Sequence, residues 1–187
     1  GVNGDGVTIA DNDRADNQWG LDGDADLANA IGIPVNLMHD ACVLEFDFIP
    51  TGDSVKFNYV FSSEEYTPAF ACSPDFNDAF GFFISGPGIA GLKNIALVPN
   101  TNLPVSISNV NNVMDFSGMA MCPQNPTLYQ DNTSNVYFVH DGHTAVFTAH
   151  ERVLPCNVYH MKLVISDNFD DMYDSGVFLE AKSLSSN

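Results

Sequence analysis

Residues 55–85, VKFNYVFSSEEYTPAFACSPDFNDAFGFFIS, restrict the folds open to this chain more than any other stretch. Val55, Phe57, Tyr59 and Phe61 alternate with Lys56, Asn58 and Val60, the period-2 pattern of a strand with one buried face. A second apolar run, 79–84, closes the stretch, and between the two runs lie Glu64, Glu65, Asp75, Asn77 and Asp78. Carboxylates thus gather where a rigid sheet ends, a usual place for a binding site. A second acidic run, 167–174 (DNFDDMYD), is bracketed in the same way by the apolar runs 158–165 and 177–179. The two loops are expected to meet and to hold a metal ion, with calcium the first candidate.

The rest of the chain continues the strand pattern. Residues 42–49 (CVLEFDFI) read as a strand with Leu44, Phe46 and Phe48 on one face. Further short strands are expected at 94–98, 105–110, 136–139, 144–149, 158–166 and 176–181, with turns or loops at 50–54 (PTGDS) and 85–91 (SGPGIAG). In the strand 158–166, His160 falls on the face opposite Tyr159, Met161, Leu163 and Ile165 and should point outward. Residues 111–135 form a polar, Met-bearing insertion without a clear period, and 1–30 are Gly-, Asn- and Asp-rich with one short strand at 6–10. No amphipathic helix exceeds two turns. Strands with turn signals and no alternating helices predict an all-β fold, an antiparallel β-sandwich or jelly-roll-like arrangement with long calcium-stabilised loops. Without a repeat or linker, residues 1–187 are read as a single domain.

Twenty-four Asp and Glu against six Lys and Arg give a formal charge of −18. Nucleic acid is a poor partner for such a chain, since no basic patch can displace counterions, and anionic membranes are disfavoured in the same way. Self-repulsion favours bound cations. No run of apolar residues is long enough to span a membrane. The start lacks a signal-peptide pattern, so any leader is expected to have been removed or to lie outside this sequence. The cysteines, Cys42, Cys72, Cys122 and Cys156, contain no C-x-x-C, which argues against zinc-ribbon and thioredoxin-type sites. Their even number fits two disulfides in an oxidising compartment, or buried thiols in a cytosolic one. Three connectivities are open.

Calcium takes about six to eight oxygen ligands. Glu64, Glu65, Asn77, Asp78, Asp167, Asp170, Asp171 and Asp174 supply carboxylate and amide oxygens with no His or thiolate among them, a set that favours calcium over zinc or copper. Neighbouring strand residues point to opposite faces, so Glu65 is preferred over Glu64 unless the strand has already ended. Asp22, Asp24 and Asp26 form a second candidate metal site, although an EF-hand register fails at Leu27 and Ile33. They read equally as a solvated loop or as an N-cap for a turn at 27–31. A glycosidase pair would need two carboxylates flanking a cleft, and no nucleophile motif or P-loop is present. His140-Asp141-Gly142-His143 reads as a surface turn whose histidines could still touch a ligand. Met114, Phe116, Met119 and Met121 read as a lid packed on the sheet, or as an adaptable contact surface. Asn132-Thr133-Ser134 matches a glycosylation sequon.

Four segments, DACVLEFDFIPTGDSVKFNYVFSSEEY, FNDAFGFFISGPG, NIALVPNTNLPVSISNVN and YHMKLVISDNFDDMYDSGVFLEA, resemble in that order the bacterial choice-of-anchor family, type L. The resemblance covers about 40–181, with 1–39 matching loosely. It implies an extracellular β-sandwich module of a secreted or surface-attached protein with adhesin-like neighbouring domains, and a non-catalytic role. It also implies that Glu64, Glu65, Asn77, Asp78, Asp167 and Asp174 act together. The family tends to carry a cysteine pair where Cys72 and Cys122 stand, so Cys72–Cys122 with Cys42–Cys156 becomes the preferred connectivity. His140 and His143 replace the family's usual aromatic residues. With no sorting tail after Asn187, the sequence is read as an excised domain.

The expected function is calcium-dependent adhesion: a glycan or peptide bound on the loop end, with Tyr66, Phe70 or Trp19 stacking on it. A calcium-rigidified structural spacer and a secreted hydrolase are the alternatives.

Overall fold

The computed structural model describes residues 19–73, 75–134, 138–169 and 173–187. Helix α1 (Ala25–Ile31) begins at Asp24, whose Oδ1 accepts the N–H groups of Asp26 and Leu27 at 3.0 Å. This satisfies donors that a first turn leaves without partners. Gly32, at φ +79°, ends the helix in the left-handed region that a residue lacking Cβ enters freely. The strands follow in order: β1 (Met38–Phe48), β2 (Ser54–Ser63), β3 (Ala79–Ser85), β4 (Lys93–Asn94), β5 (Val105–Ser106), β6 (Tyr129–Asp131), β7 (Gly142–Thr144), β8 (Phe147–Arg152), β9 (Tyr159–Asn168), β10 (Ser175–Leu179) and β11 (Ser185–Ser186), with helix α2 (Pro68–Ala71) after β2.

These strands make two antiparallel sheets. One runs β1-β9-β3-β4, with β5 also on β3; the other runs β10-β2-β7-β6, with β8 and β11 also on β2. Phe57, Tyr59 and Phe61 of β2 face Phe80, Phe82 and Ile84 of β3 and Tyr159, Met161 and Leu163 of β9. Ring centroids lie 4.3 Å apart for Phe57–Phe82 and 5.0 Å for Tyr59–Phe82, distances at which edge-to-face packing adds to area burial. The alternation in 55–61 therefore becomes one wall of an aromatic core, and the expected all-β sandwich is the observed fold. Strand β3 is buried on both faces, because Leu27 and Ala28 of α1 cover its outer side with Met38, Phe83 and Val164.

Several boundaries differ from expectation. Residues 144–149 are split between β7 and β8, which pair with different halves of β2. At the break the N–H of Phe61 goes to the Thr144 hydroxyl at 3.1 Å in place of a ladder bond. Beyond Ser106 the chain turns instead of extending to 110, held by the Asn111 amide on the carbonyls of Ile107 and Ser108. The insertion 111–135 contains strand β6, paired with β7, whereas Phe138 and Val139 form no strand. The strand expected at 6–10 lies outside the described residues. In β1, Leu44 is half-exposed, since a cleft of about 260 Å³ separates Leu44 and Phe46 from Leu179 and Leu184. His160 does point outward, bonded to Asp47 at 2.9 Å.

Cys72 and Cys122 are bridged, with Cα atoms 5.6 Å apart. The second expected bridge is absent: Cys42 and Cys156 are free and exposed. Cys156 donates its N–H to Pro50 O, beyond the far end of β1 from Cys42, and eight strand residues span roughly 27 Å. A disulfide cannot cross that distance.

Replacing Cys72 and Cys122 together by Ala is expected to cost about 2–4 kcal/mol in urea unfolding, by freeing the 50-residue separation the bridge closes. Cys42→Ser and Cys156→Ser should each change stability by less than about 0.5 kcal/mol.

Candidate functional site

The strand registers assemble the acids. Ser63, the last residue of β2, pairs with Ser175, the first of β10, so Glu64 and Asp174 follow as neighbours, with the Glu64 N–H on Asp174 O at 3.3 Å. Ala79, the first residue of β3, pairs with Ser166 of β9, which puts Asp78 beside Asp167. On the other side of β9, His39 of β1 stands opposite Asp167, and the bulge that follows holds Asp40 at φ +50°. Glu65, in the turn after β2, folds its N–H onto Ser63 Oγ at 2.9 Å. The two sheets are tied at this rim by the Ser175 hydroxyl, which donates to Asp78 Oδ2 at 2.7 Å. Asn168 donates its N–H to Asp78 Oδ1 at 3.0 Å and its amide to Asp75 O at 2.9 Å.

All of these acids are buried: Glu65, Asp78 and Asp174 are 0% exposed, Glu64 and Asp167 3%, and Asp40 4%. Burial pushes Asp78 well above the usual carboxylate range, with the Glu65 charge adding to the rise against the lowering effect of Ser175 and Asn168. Burial likewise lifts Asp167 to about 9, with the charges of Asp78, Asp174 and Asp40 contributing. Asp167 Oδ2 has no hydrogen-bond partner. Such a rim takes up either protons or a cation. Among the described residues no three of these side chains already stand in ligating geometry around one point. Asp78 directs both oxygens to protein donors, and Asn77 Oδ1 accepts the Ser108 N–H at 3.0 Å. Asp170 lies outside the described residues, as does Asp171.

The other candidates are distributed as follows. Asp24 and Asp26 do share a cation, but it is the Lys162 ammonium, 2.5 and 2.7 Å away. Burial alone would lower the Lys162 pKa; the bonds to Asp24 and Asp26 outweigh it and raise the value. Asp22 makes a backbone bridge to His39. Phe70 packs against Phe76 and Tyr173, at centroid distances of 5.1 and 5.0 Å, with Phe169 on Phe76, forming an aromatic wall beside the acids instead of an open stacking platform. Trp19 is exposed, its backbone N–H held by Asp40 Oδ2 at 2.8 Å.

His140 is not on a surface turn: it is fully buried, with Nδ1 2.6 Å from Ser62 Oγ, and burial lowers its pKa to about 4. It cannot meet a ligand. His143 is half-buried with Nδ1 donating to Thr144 O at 2.9 Å. The sequon residue Asn132 is buried, its amide donating to Phe138 O and His140 O, so it presents no acceptor for glycosylation. Met114, Phe116, Met119 and Met121 are exposed rather than packed as a lid, on a loop fastened by the disulfide.

Tyr66 is 1% exposed, which excludes open stacking. Instead it walls a cavity of about 540 Å³ with Tyr129, whose ring lies 5.0 Å away. Sequence reasoning missed Asp40, Ser175 and Asn168 at the rim and Tyr129 and Asp131 at the cavity. Asp40, Ser175, Tyr129 and Asp131 sit in no clear period or acidic run, and Asn168, though inside the run 167–174, carries no charge to mark it.

The shifted acids set a pH dependence. The folded pKa of Asp167 lies above its unfolded value of about 4. Its stabilising contribution is complete below about 4 and lost as the pH rises through about 9. In chelator, the melting temperature should fall steadily between pH 5 and 9, and Asp167→Asn should flatten the profile. His140 acts in the opposite sense: its contribution is complete above about 6.5 and lost as the pH falls through about 4. An Asp167→Asn profile as steep as the parent's would exclude this origin.

The family model of the Choice-of-anchor L domain matches residues 2–185, so the similarity extends through the N-terminal part where the motifs match only loosely. No curated protein and no solved structure matches the chain. No helix among the described residues is long and apolar enough to cross a membrane. Domains of this family are modules of secreted or cell-surface bacterial proteins. With nearly its whole length matched, two antiparallel sheets and a disulfide, the chain belongs to the Choice-of-anchor L domain family.

Proposed function

We propose that this domain is a non-catalytic, calcium-dependent ligand-binding module used in adhesion, holding a glycan or peptide on the loops beside the buried carboxylates. One observation carries the reading: acids far apart in sequence, Glu65, Asp78, Asp167 and Asp174, converge where both sheets end, at a burial that leaves ionised carboxylates poorly solvated. A cation would replace the proton on Asp167 and engage its Oδ2. The donors are hard oxygens, which suits calcium, and Asp170 and Asp171 are further sequence candidates. A hydrolase fits less well, since a catalytic acid and base must reach the substrate and these carboxylates are enclosed. The enclosure also suits a spacer whose ion only rigidifies the fold. The cavity beside Glu65, walled by Tyr66, favours ligand binding.

Calcium at about 100 times its Kd should stabilise the fold by about 2.7 kcal/mol, which for a chain of this size is a rise of about 5–10 °C in melting temperature. Chelation with EDTA should reverse the shift. Asp78→Ala and Asp174→Ala should abolish the calcium response, whereas His143→Ala should keep it. A melting curve indifferent to calcium and EDTA would overturn the proposed ion.

A further inference from the structure

We infer that this domain associates head-to-tail with further copies of itself, the apolar tip of loop 114–121 in one copy seating in the cleft between β1 and β10 of the next. The tip reads MDFSGMAM. Phe116 is fully exposed, and Met114, Met119 and Met121 are exposed at 46%, 69% and 54%. Scattered apolar residues on a surface are ordinary, but a cluster of them marks a contact surface, and methionines adapt to what they meet.

The loop also holds this tip in place. The Asp115 N–H goes to Met119 O and the Gly118 N–H to Asp115 O, both at 2.9 Å. Asp115 Oδ1 accepts the N–H groups of Ser117 at 2.8 Å and Met119 at 3.0 Å. At the base Asn111 and Gln124 exchange backbone bonds, and Cys122 is bridged to Cys72. A tip ordered in advance loses little freedom on binding.

The cleft is its complement. Leu44, Phe46, Phe57, Leu163, Leu179 and Leu184 line about 260 Å³. A cavity of roughly 150 Å³ already holds a benzene ring, so Phe116 enters with room for a methionine beside it. Leu44, Leu179 and Leu184 are half-exposed, and Phe57 and Leu163 at the floor keep 7% and 8% exposure, so the cleft is open from outside. Charge agrees as well. Lys182 stands exposed on the lip of the cleft, and it enters none of the ion pairs among the described residues, which employ Lys93 and Lys162. The neighbouring Glu180 carboxylate accepts the Asn58 amide at 2.7 Å. At the tip, bonds from Ser117 and Met119 hold the Asp115 carboxyl below its usual range. They fall on Oδ1, which leaves Oδ2 for Lys182.

Tip and cleft lie apart on one chain. Met114 lies with Tyr66 and Tyr129, and Tyr129 belongs to β6, at the opposite edge of its sheet from β10. A two-fold pair cannot use both contacts at once, so the contact is heterologous and adds copies in a row. A lipid surface is a weaker partner for the tip. Membrane-surface segments set Lys and Arg beside their apolar face, and the sequence has neither between Lys93 and Arg152. The inference rests neither on calcium nor on glycan binding.

The test is sedimentation equilibrium of the full chain in about 0.3 M NaCl, which screens the mutual repulsion of chains at −18. The weight-average mass is expected to rise with concentration past that of a dimer. Phe116→Asp at the tip and Leu184→Asp at the cleft, each checked by circular dichroism for an intact fold, should weaken association by at least about tenfold. Mixed in equal amounts, the two variants should recover a complex of one copy of each and nothing larger, because each keeps one working half of the contact. The inference is overturned if the parent chain stays monomeric up to about 1 mM or stops at a dimer. It is equally overturned if Leu184→Asp assembles like the parent, or if the mixed variants stay apart. Binding of the parent to phosphatidylcholine vesicles through Phe116, without self-association, would overturn it in favour of a lipid surface.

Discussion

Withdrawing carboxylates from water at the place where the two sheets end is the constraint on which the rest of this structure depends. An isolated buried carboxylate is strongly unfavourable unless it is paired or protonated. Here the acids sit against one another, and the Asp78 carboxylate is reached from both sheets at once, by Ser175 at the start of β10 and Asn168 at the end of β9. The same atoms that create the electrostatic problem therefore fasten the sandwich. If Asp78 swung outward to solvent, the hydrogen bond from Ser175 that joins the sheets at this rim would go with it.

β2 organises both the apolar and the polar interior. Its middle carries Phe57, Tyr59 and Phe61 into the aromatic core. Its end carries Ser62 to His140, Ser63 to the Glu65 N–H, and then Glu64 and Glu65 themselves. His140 stays neutral because burial disfavours its charge, so the polar side of β2 is built from a neutral imidazole and hydroxyls while the acids collect at the tip. Gly176 fits this packing: a Cβ there would come within 2.8 Å of His140 Cε1. The strand thus changes from apolar to polar surroundings within a few residues.

The parts of this arrangement visible in the sequence are those set by short-range pattern. Alternation in 55–61 and the apolar runs at 79–84 and 158–165 mark the central strands, because those strands have a face the core must cover. Acidic runs immediately after such strands mark the rim. Less visible were features decided by tertiary context. Leu44 and Phe46 alternate like core residues, yet β1 lies at a sheet edge beside a cleft. The 144–149 run (TAVFTA) reads as one strand, but its pairing with two halves of β2 breaks it. The histidines at 140 and 143 look like turn residues beside Asp-Gly, and only the approach of β2 reveals that His140 is enclosed. Lys162 is a lone cation in an apolar strand, and nothing local says that α1 brings Asp24 and Asp26 onto it. The family resemblance implies Cys42–Cys156 alongside Cys72–Cys122, but a resemblance in motifs carries no measure of distance, and the length of β1 keeps Cys42 and Cys156 apart.

Glu64 to Thr67 is where rim and cavity become one system. Glu65 is in the buried acid cluster, and the next two residues, Tyr66 and Thr67, line the cavity. Tyr66 is sensitive to both: burial raises its pKa, and so do the charges of Tyr129 on the cavity side and Asp78 on the rim side. Whatever neutralises Asp78 and Glu65, proton or cation, changes the field at the Tyr66 phenol and the restraint on the backbone that positions it. Within so short a turn, a change in φ or ψ at one residue re-aims the side chains that follow it. Ordering the acids is therefore also ordering the cavity, and the sandwich behind them serves as the rigid frame on which that coupling acts.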